Sequence, residues 1–248
     1  MIEILMTATR RPEIIERTLS SFKKNLFNYV PAKVIINIDP VGPGTDDEVI
    51  AVVRKHFEIK NILLASFPNF PYAFRRVWLM TESRFCFWLE DDWELTREVS
   101  LPEMIDLIDS TSYLASLRLP WVRTEKDYMK NWRYKFPYVQ LNNISGAFMC
   151  PEELKQEVGF CGHPSMLSGL FVKRCAKLLD VNLNPEKQFH HGNKELLEEV
   201  MKWKFGVFGK PNQPAVVQDI GRQWMVKNGY KKKGNKAFFQ EWEKEGGN

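Results

Sequence analysis

The run Leu89-Glu90-Asp91-Asp92-Trp93 places three consecutive carboxylates directly after the apolar segment 84–89 (RFCFWL). If the chain stays extended there, the period of two sends Glu90 and Asp92 to one side and Asp91 to the other. Two carboxylates on one side could share Mg²⁺ or Mn²⁺, hard cations that bridge carboxylates to a diphosphate. The alternative is three acids that cap a turn or face solvent. Asp39 closes a second apolar run, 33–39 (KVIINID), and the polar loop Thr7-Ala8-Thr9-Arg10-Arg11 follows a third, 2–6. Asp219 follows another, 215–217, near the C-terminus. Arg75 and Arg76 are cations of the kind that neutralise a diphosphate, but adjacent helix positions diverge and only one can face a cleft.

These residues need a frame that brings strand ends together. Apolar runs at 2–6, 33–39, 62–66 and 84–89 read as strands. Between them, helical spacing begins at Pro12 (Ile14, Ile15, Leu19, Phe22) and is expected again over 46–56 and 72–81. Pro12 suits a first helical turn, where its missing N–H costs nothing. Strands alternating with helices predict right-handed crossovers and a mainly parallel sheet covered by helices. Segment 84–89 reads as a strand buried on both faces. Beyond residue 95 the pattern loosens to α+β, with helices expected at 101–110, 151–158, 168–180 and 193–204 and strands at 113–119 and 215–217. In open α/β sheets ligands collect beyond the carboxyl ends of the strands, where Thr7–Arg11, Asp39 and Glu90–Asp92 fall.

At 248 residues, 44% hydrophobic, the chain can fill one core, so 1–248 is expected to be a single domain. Its four cysteines form no CxxC pair, and Cys86 and Cys150 sit in apolar runs, which fits buried thiols in a reducing cytoplasm. No apolar run approaches a membrane span or a signal peptide, so a soluble protein without integral membrane association is expected. The net charge is +4, with Lys227, Lys231, Lys232, Lys233 and Lys236 forming a basic C-terminal tail. That run reads as a solvated segment or as a phosphate-binding one. His163, His190 and His191 lack zinc-site spacing, and neither GxxxxGK[ST] nor GxGxxG occurs.

TATRRPEIIERTLSSF resembles the opening strand, loop and helix of GT-A glycosyltransferases, VIINID resembles their second strand, and LEDDWEL their DxD-type metal motif. The resemblance covers about the first 95 residues well and the rest loosely. It implies a GT-A, Rossmann-like α/β fold with a donor-binding half to about residue 95 and a looser α+β acceptor-side half over 96–248. It also implies a nucleoside-diphosphate sugar as donor, foremost a UDP-sugar, with Mn²⁺ or Mg²⁺ as cofactor. Carried over, the first loop contributes Thr7, Thr9 and Arg10 or Arg11 along the nucleotide, and Asp39 contacts base or ribose. Arg75 and Asp91 complete the donor set, and Glu90 and Asp92 become metal ligands. The first acid departs from strict Asp-x-Asp, so Glu90 acts directly or through water. AVVQDIG resembles the late segment that supplies a further ligand, often His, and here that residue is Asp219.

Inverting transfer needs a carboxylate to take the acceptor hydroxyl's proton. Glu195, early in the 193–204 helix, is the expected base, with Glu198 and Glu199 as alternatives. The segment CGHPSMLSGLFVK (161–173) resembles acceptor-side loops. Trp121, Arg123, Trp132, Arg133, Tyr134, Phe136 and Tyr138 mix π-faces with cations, which suits sugar rings, unstacked bases or subdomain packing. With the Lys-rich tail, this mixture admits DNA bearing a hydroxylated base as acceptor, as in virus-encoded DNA modification, the base being flipped out of the duplex. A cell-surface glycan or lipid-linked saccharide is the other acceptor class. A nucleotidyltransferase, or a module that binds nucleotide-sugar or glycan without turnover, remains a further alternative.

Overall fold

The computed structural model describes residues 1–122, 139–140, 146–209, 214–233 and 241–244. Four parallel strands form its first half: β1 (Ile2–Thr9), β2 (Ala32–Asp39), β3 (Glu58–Leu64) and β4 (Phe85–Glu90). They are joined by helices α1 (Pro12–Asn25), α2 (Asp46–His56) and α3 (Phe70–Leu79). The expected alternation is there, with shifts at two elements. β3 starts four residues before the expected run, because as the sheet's edge strand it carries Glu58, Lys60 and Asn61, which hide it from a search for apolar residues. Helix α3 starts at Phe70 because Asn69 caps it, its side chain accepting from Tyr72 N at 2.9 Å.

Beyond β5 (Trp93–Leu95) and α4 (Leu101–Ser110), the same sheet grows by β6 (Leu114–Arg118), β8 (Val139–Gln140), β9 (Ala147–Met149), β10 (Ser165–Ser168) and β11 (Lys204–Phe208). The order is β3-β2-β1-β4-β10-β6-β11-β9-β8, and only β9 and β10 run against the rest. A smaller sheet, β5-β12-β7, joins β5 to β7 (Trp121–Val122) and β12 (Val217–Asp219). Among the described residues, three further helices follow α4 before the C-terminal one: α5 (Lys155–Val158), α6 (Gly169–Leu178) and α7 (Lys194–Val200). The chain's last described elements are α8 (Gly221–Lys227) and the hairpin β13 (Tyr230–Lys233) with β14 (Glu241–Lys244).

Alternation along the central strands gives the sheet two covered faces. Ile4, Met6, Phe87 and Leu89 meet Ile15, Leu19 and Phe22 of α1, Val49 and Val53 of α2 and Met104 of α4. Leu5, Cys86 and Trp88 meet Phe74 and Trp78 of α3, Phe171 and Cys175 of α6 and Leu196 and Val200 of α7. Cys86 through Leu89 are fully buried, as their apolar run requires. Each such side chain contributes roughly 1.5–3 kcal/mol by leaving water. Cys86 and Cys150 are buried free thiols. Among the described residues, no helix is long and apolar enough to cross a membrane.

Candidate functional site

Parallel register lines up the carboxyl ends of three strands. Thr7, Ala8 and Thr9 pair with Asn37, Ile38 and Asp39, and Thr7 also pairs with Glu90 on β4. Over these ends lies a cavity of about 280 Å³. Its walls are Thr7, Thr9, Arg11, Asp39, Glu90, Asp91 and Asp92, joined by Asn69 and Phe70, Trp93, Trp121, Gly162, His163, Glu186 and Asp219. Two wider hollows of about 610 Å³ lie along edge strand β3 and around Tyr113 and Trp203. The first is lined by one carboxylate, Glu58, and the second by two, Glu82 and Asp109, whereas the smaller cavity gathers six, Asp39, Glu90, Asp91, Asp92, Glu186 and Asp219.

β4 ends at Glu90, and Asp91 is buried in the turn that follows, so the alternation expected for three extended acids stops there. Asp91 accepts from Thr9 N and Thr9 Oγ1, both at 2.8 Å, and from Arg11 Nη2 at 2.6 Å. Burial pushes its carboxyl above the usual range, and the Arg11 cation and the Thr9 donors pull against that shift. Arg11 is itself 3% exposed. Asp39 is also buried, and burial raises its pKa against hydrogen bonds from Asn37 Nδ2 (2.8 Å) and Asn69 N (3.1 Å).

Asp219 is opposite Trp93 across the β5–β12 pair, which brings it beside Asp92 from 127 residues along the chain. Ile220 N donates to Asp92 O at 2.9 Å, and Asp219 Oδ1 accepts from Gly221 N at 3.0 Å. Among the described residues, no group of three or more His, Cys, Asp or Glu side chains is arranged to hold a metal ion. Glu90, Asp92 and Asp219 all line the cavity, and carboxylate oxygens are ligands that Mg²⁺ or Mn²⁺ takes beside phosphate oxygens and water. The donor chemistry of these carboxylates suits that ion, while their present spacing does not form a ready cluster for it.

Three expected site residues lie elsewhere. Arg10 makes a two-pronged bond to Asp46 in the first turn of α2, at 2.8 and 2.9 Å, and does not line the cavity. It is held there by the loop after β2, which crosses the loop after β1 so closely that a Cβ at Gly42 (φ +116°) would stand 2.4 Å from Arg10 O. Arg75 turns to α6, where its Nε donates to Ala176 O at 3.2 Å. Arg76 is the arginine that reaches the site's network, donating to Asn37 Oδ1 at 3.0 Å. Glu195 is exposed on α7, because Leu196, Glu199 and Val200 occupy that helix's buried face. Glu198 is exposed 3.9 Å from Lys194, and Glu199 is fixed by Lys202 and Trp203.

The structure instead brings Glu186 to the cavity. Its Oε1 accepts from Gly162 N at 2.8 Å, and a Cβ at Gly162 would stand 2.3 Å from that oxygen and 3.3 Å from Glu90 Oε1. Trp88 Nε1 anchors the same loop by donating to Gly162 O at 2.7 Å. No sequence signal marks Glu186, since a loop acid after Pro185 has neither periodicity nor motif. His163 packs against Trp121 and Trp93, with ring centroids 4.5 and 5.5 Å away. Its Nδ1 lies 3.2 Å from Cys161 Sγ, which also contacts Arg118 at 3.2 Å. Residues 123–138, with Arg123, Trp132, Arg133, Tyr134, Phe136 and Tyr138, lie outside the described residues, as does Lys236.

No family model matches the chain, and no curated protein matches its sequence. Among solved structures, S. aureus TarS 1-349 is similar to it with a TM-score of 0.55 at 12% identity, over 91% of this chain and 62% of that one. Mannosyltransferase PcManGT from Pyrobaculum calidifontis, in complex with GDP-Man and Mn²⁺, gives 0.56 at 8% identity, over 92% and 59%. TarS 1-349 in complex with UDP-GlcNAc gives 0.53 at 13%, over 88% and 57%. The chain therefore spans less than two thirds of the length of these structures. The likeness shows the fold, a GT-A-like glycosyltransferase fold with a mainly parallel sheet flanked by helices.

Proposed function

We propose that this chain is a metal-dependent glycosyltransferase that moves a sugar from a nucleoside-diphosphate sugar, a UDP-sugar first among them, to a saccharide hydroxyl. The observation that carries the reading is the convergence of Asp39, Glu90, Asp92, Glu186 and Asp219 on one cavity at the strand ends of a GT-A-like fold. The similar structures bound to GDP-Man with Mn²⁺ and to UDP-GlcNAc support it. In this reading residues 1–248 form one domain, with the donor bound by the first 95 residues and the acceptor by the rest. Its free thiols suit a reducing cytoplasm.

Asp39 faces the nucleoside, and Thr7 and Thr9 line the path of the diphosphate. Glu90, Asp92 and Asp219 hold the divalent ion, which supplies positive charge to the leaving diphosphate. Glu186 takes the proton of the acceptor hydroxyl as that oxygen attacks the anomeric carbon. The bond from that carbon to the diphosphate oxygen breaks, and its electron pair leaves with the nucleoside diphosphate. Gly162 N holds Glu186 Oε1, which leaves Oε2 to meet the hydroxyl. His163, Trp93 and Trp121 form the adjoining aromatic wall on the acceptor side.

The test is nucleotide release from UDP-, GDP-, dTDP- and CMP-sugars with Mn²⁺ or Mg²⁺, scored with glycan acceptors and with hydroxymethylated DNA. Metal-dependent release stimulated by a glycan and lost in Asp92→Asn supports the reading. Stimulation by the DNA alone, weakening steeply with salt, moves the acceptor to nucleic acid. No release with any donor, or transfer of the nucleotide in place of the sugar, sinks the proposal.

A further inference from the structure

Resting on the reading of Asp92 as a metal ligand, we infer that Arg11 is a positioning residue for that carboxylate. It works as a cation built into the protein and ties Asp92 to the docking of the C-terminal helix. A basic residue in the first loop of such a site is the expected partner of the donor's phosphates. The hydrogen bonds of Arg11 point elsewhere.

Its Nε donates to Thr9 Oγ1 at 2.6 Å, and its Nη2 is shared between Asp91 Oδ1 at 2.6 Å and Asp92 Oδ2 at 3.3 Å. Thr9 Oγ1 in turn donates a hydrogen bond to Asp91 Oδ2 at 2.8 Å, so the bonds close on one another. The planar fork of arginine satisfies these acceptors in one orientation, which the single point charge of lysine cannot do. Asp91 and Asp92 are adjacent acids, and one buried guanidinium between them offsets their mutual repulsion.

The same guanidinium lies 5.5 Å over the ring of Trp224 on α8, and Trp224 packs with Ile14 and Ile220. Gly221, at the start of α8, abuts Asp92 so closely that a Cβ there would stand 2.2 Å from Oδ2. Oδ2 of Asp92 is therefore held between Arg11 and α8, and the orientation of Asp92 that remains for a metal depends on both. Partners behind a ligand of this kind set metal affinity by fixing the geometry of the ligand.

The test is Mn²⁺ binding in the presence of UDP by the full chain, read from the electron paramagnetic resonance of free Mn²⁺ and paired with thermal melting. Arg11→Lys is expected to raise the Mn²⁺ dissociation constant by about 10- to 100-fold. Arg11→Met leaves Asp91 buried beside no cation and can fail to fold, so the deciding variant is Arg11→Met with Asp91→Asn, which removes both charges together. Weak Mn²⁺ binding by a double variant that melts like the parent supports the inference, because fold integrity has returned without the positioning. Parental affinity in Arg11→Lys, or in the folded double variant, overturns it. If the parent chain itself binds no Mn²⁺ with UDP present, the metal reading of Asp92 fails, and this inference falls with it.

Discussion

Gly221 and Asp92 are 129 positions apart in the chain, yet a Cβ on the first would stand 2.2 Å from Oδ2 of the second. Helix α8 can dock only because position 221 carries no side chain, and through it Asp219 reaches the same corner. Gly221→Ala is expected to displace either Asp92 or α8. Metal-dependent turnover should fall by about 10-fold or more, the scale of a disturbed ligand partner. Steady-state kinetics at varied Mn²⁺ checks this, and parental kinetics in the variant would show that the contact relaxes without cost.

Glu186 and Glu195 separate two assignments of the base. Glu186→Gln keeps the shape and the bond from Gly162 N but cannot take a proton, so kcat should drop about 10²- to 10⁴-fold. Nucleotide affinity should stay near parental. Glu195→Gln, on the exposed side of α7, should leave kcat within about twofold of the parent, since a surface substitution away from the cavity changes little. The reverse result in a transfer assay would return the base to α7.

Asp92→Asn is expected to abolish metal-stimulated nucleotide release while the protein melts within a few degrees of the parent. The side chain of Asp92 is about a quarter exposed and contributes little to the core. Differential scanning calorimetry alongside the donor assay separates loss of site from loss of fold.

Glu3 supplies the acid-stability test. It is buried at the start of β1, and although burial raises a carboxyl, its bonds from Lys60, Thr81 and the Ser83 and Glu82 amides outweigh that. Its pKa is lowered from 4.5 to about 2. A depressed carboxyl stabilises the fold fully above its unfolded pKa, and that stability is lost as pH falls from near 4.5 towards 2. The contribution is roughly 3 kcal/mol at most. Denaturant melts of Glu3→Gln should fall below the parent by about that amount near neutral pH, and the gap should close as pH drops through this window. A gap independent of pH would assign the loss to packing.

Cys161 should be the reactive thiol. Burial alone would raise it, but His163 and Arg118 hold its pKa down at about 6, while burial pushes Cys86 to about 12 and Cys150 to about 11. Iodoacetamide at about pH 7 should label Cys161 first, because the thiolate is the nucleophile. Peptide mass mapping checks the order, and equal labelling of Cys150 would contradict it.

The sequence by itself determined what short-range patterning specifies. Alternating strands and helices through residue 90, the burial of Cys86–Leu89 and the acids at the ends of β2 and β4 are all local, since periodicity and turn chemistry act within a few residues. The expected separation of Asp91 from Glu90 and Asp92 by the strand period does not hold, because β4 ends at Glu90 and the turn after it brings Asp91 Oδ1 and Asp92 Oδ2 to the same Arg11 Nη2. Tertiary structure decided the rest. Strands β10 and β11 pass unnoticed because each is a short stretch beside a helical pattern, and only pairing with β4 and β6 makes them strands. Arg10 and Arg11 are neighbours of one type, yet Asp46 takes one out of the cavity and Asp91 draws the other in. Glu186 carries no local mark at all. It belongs to the site because the Trp88 indole holds the Gly162 loop and Gly162 N holds the carboxylate, contacts that span 74 and 24 residues and form only when the chain has closed.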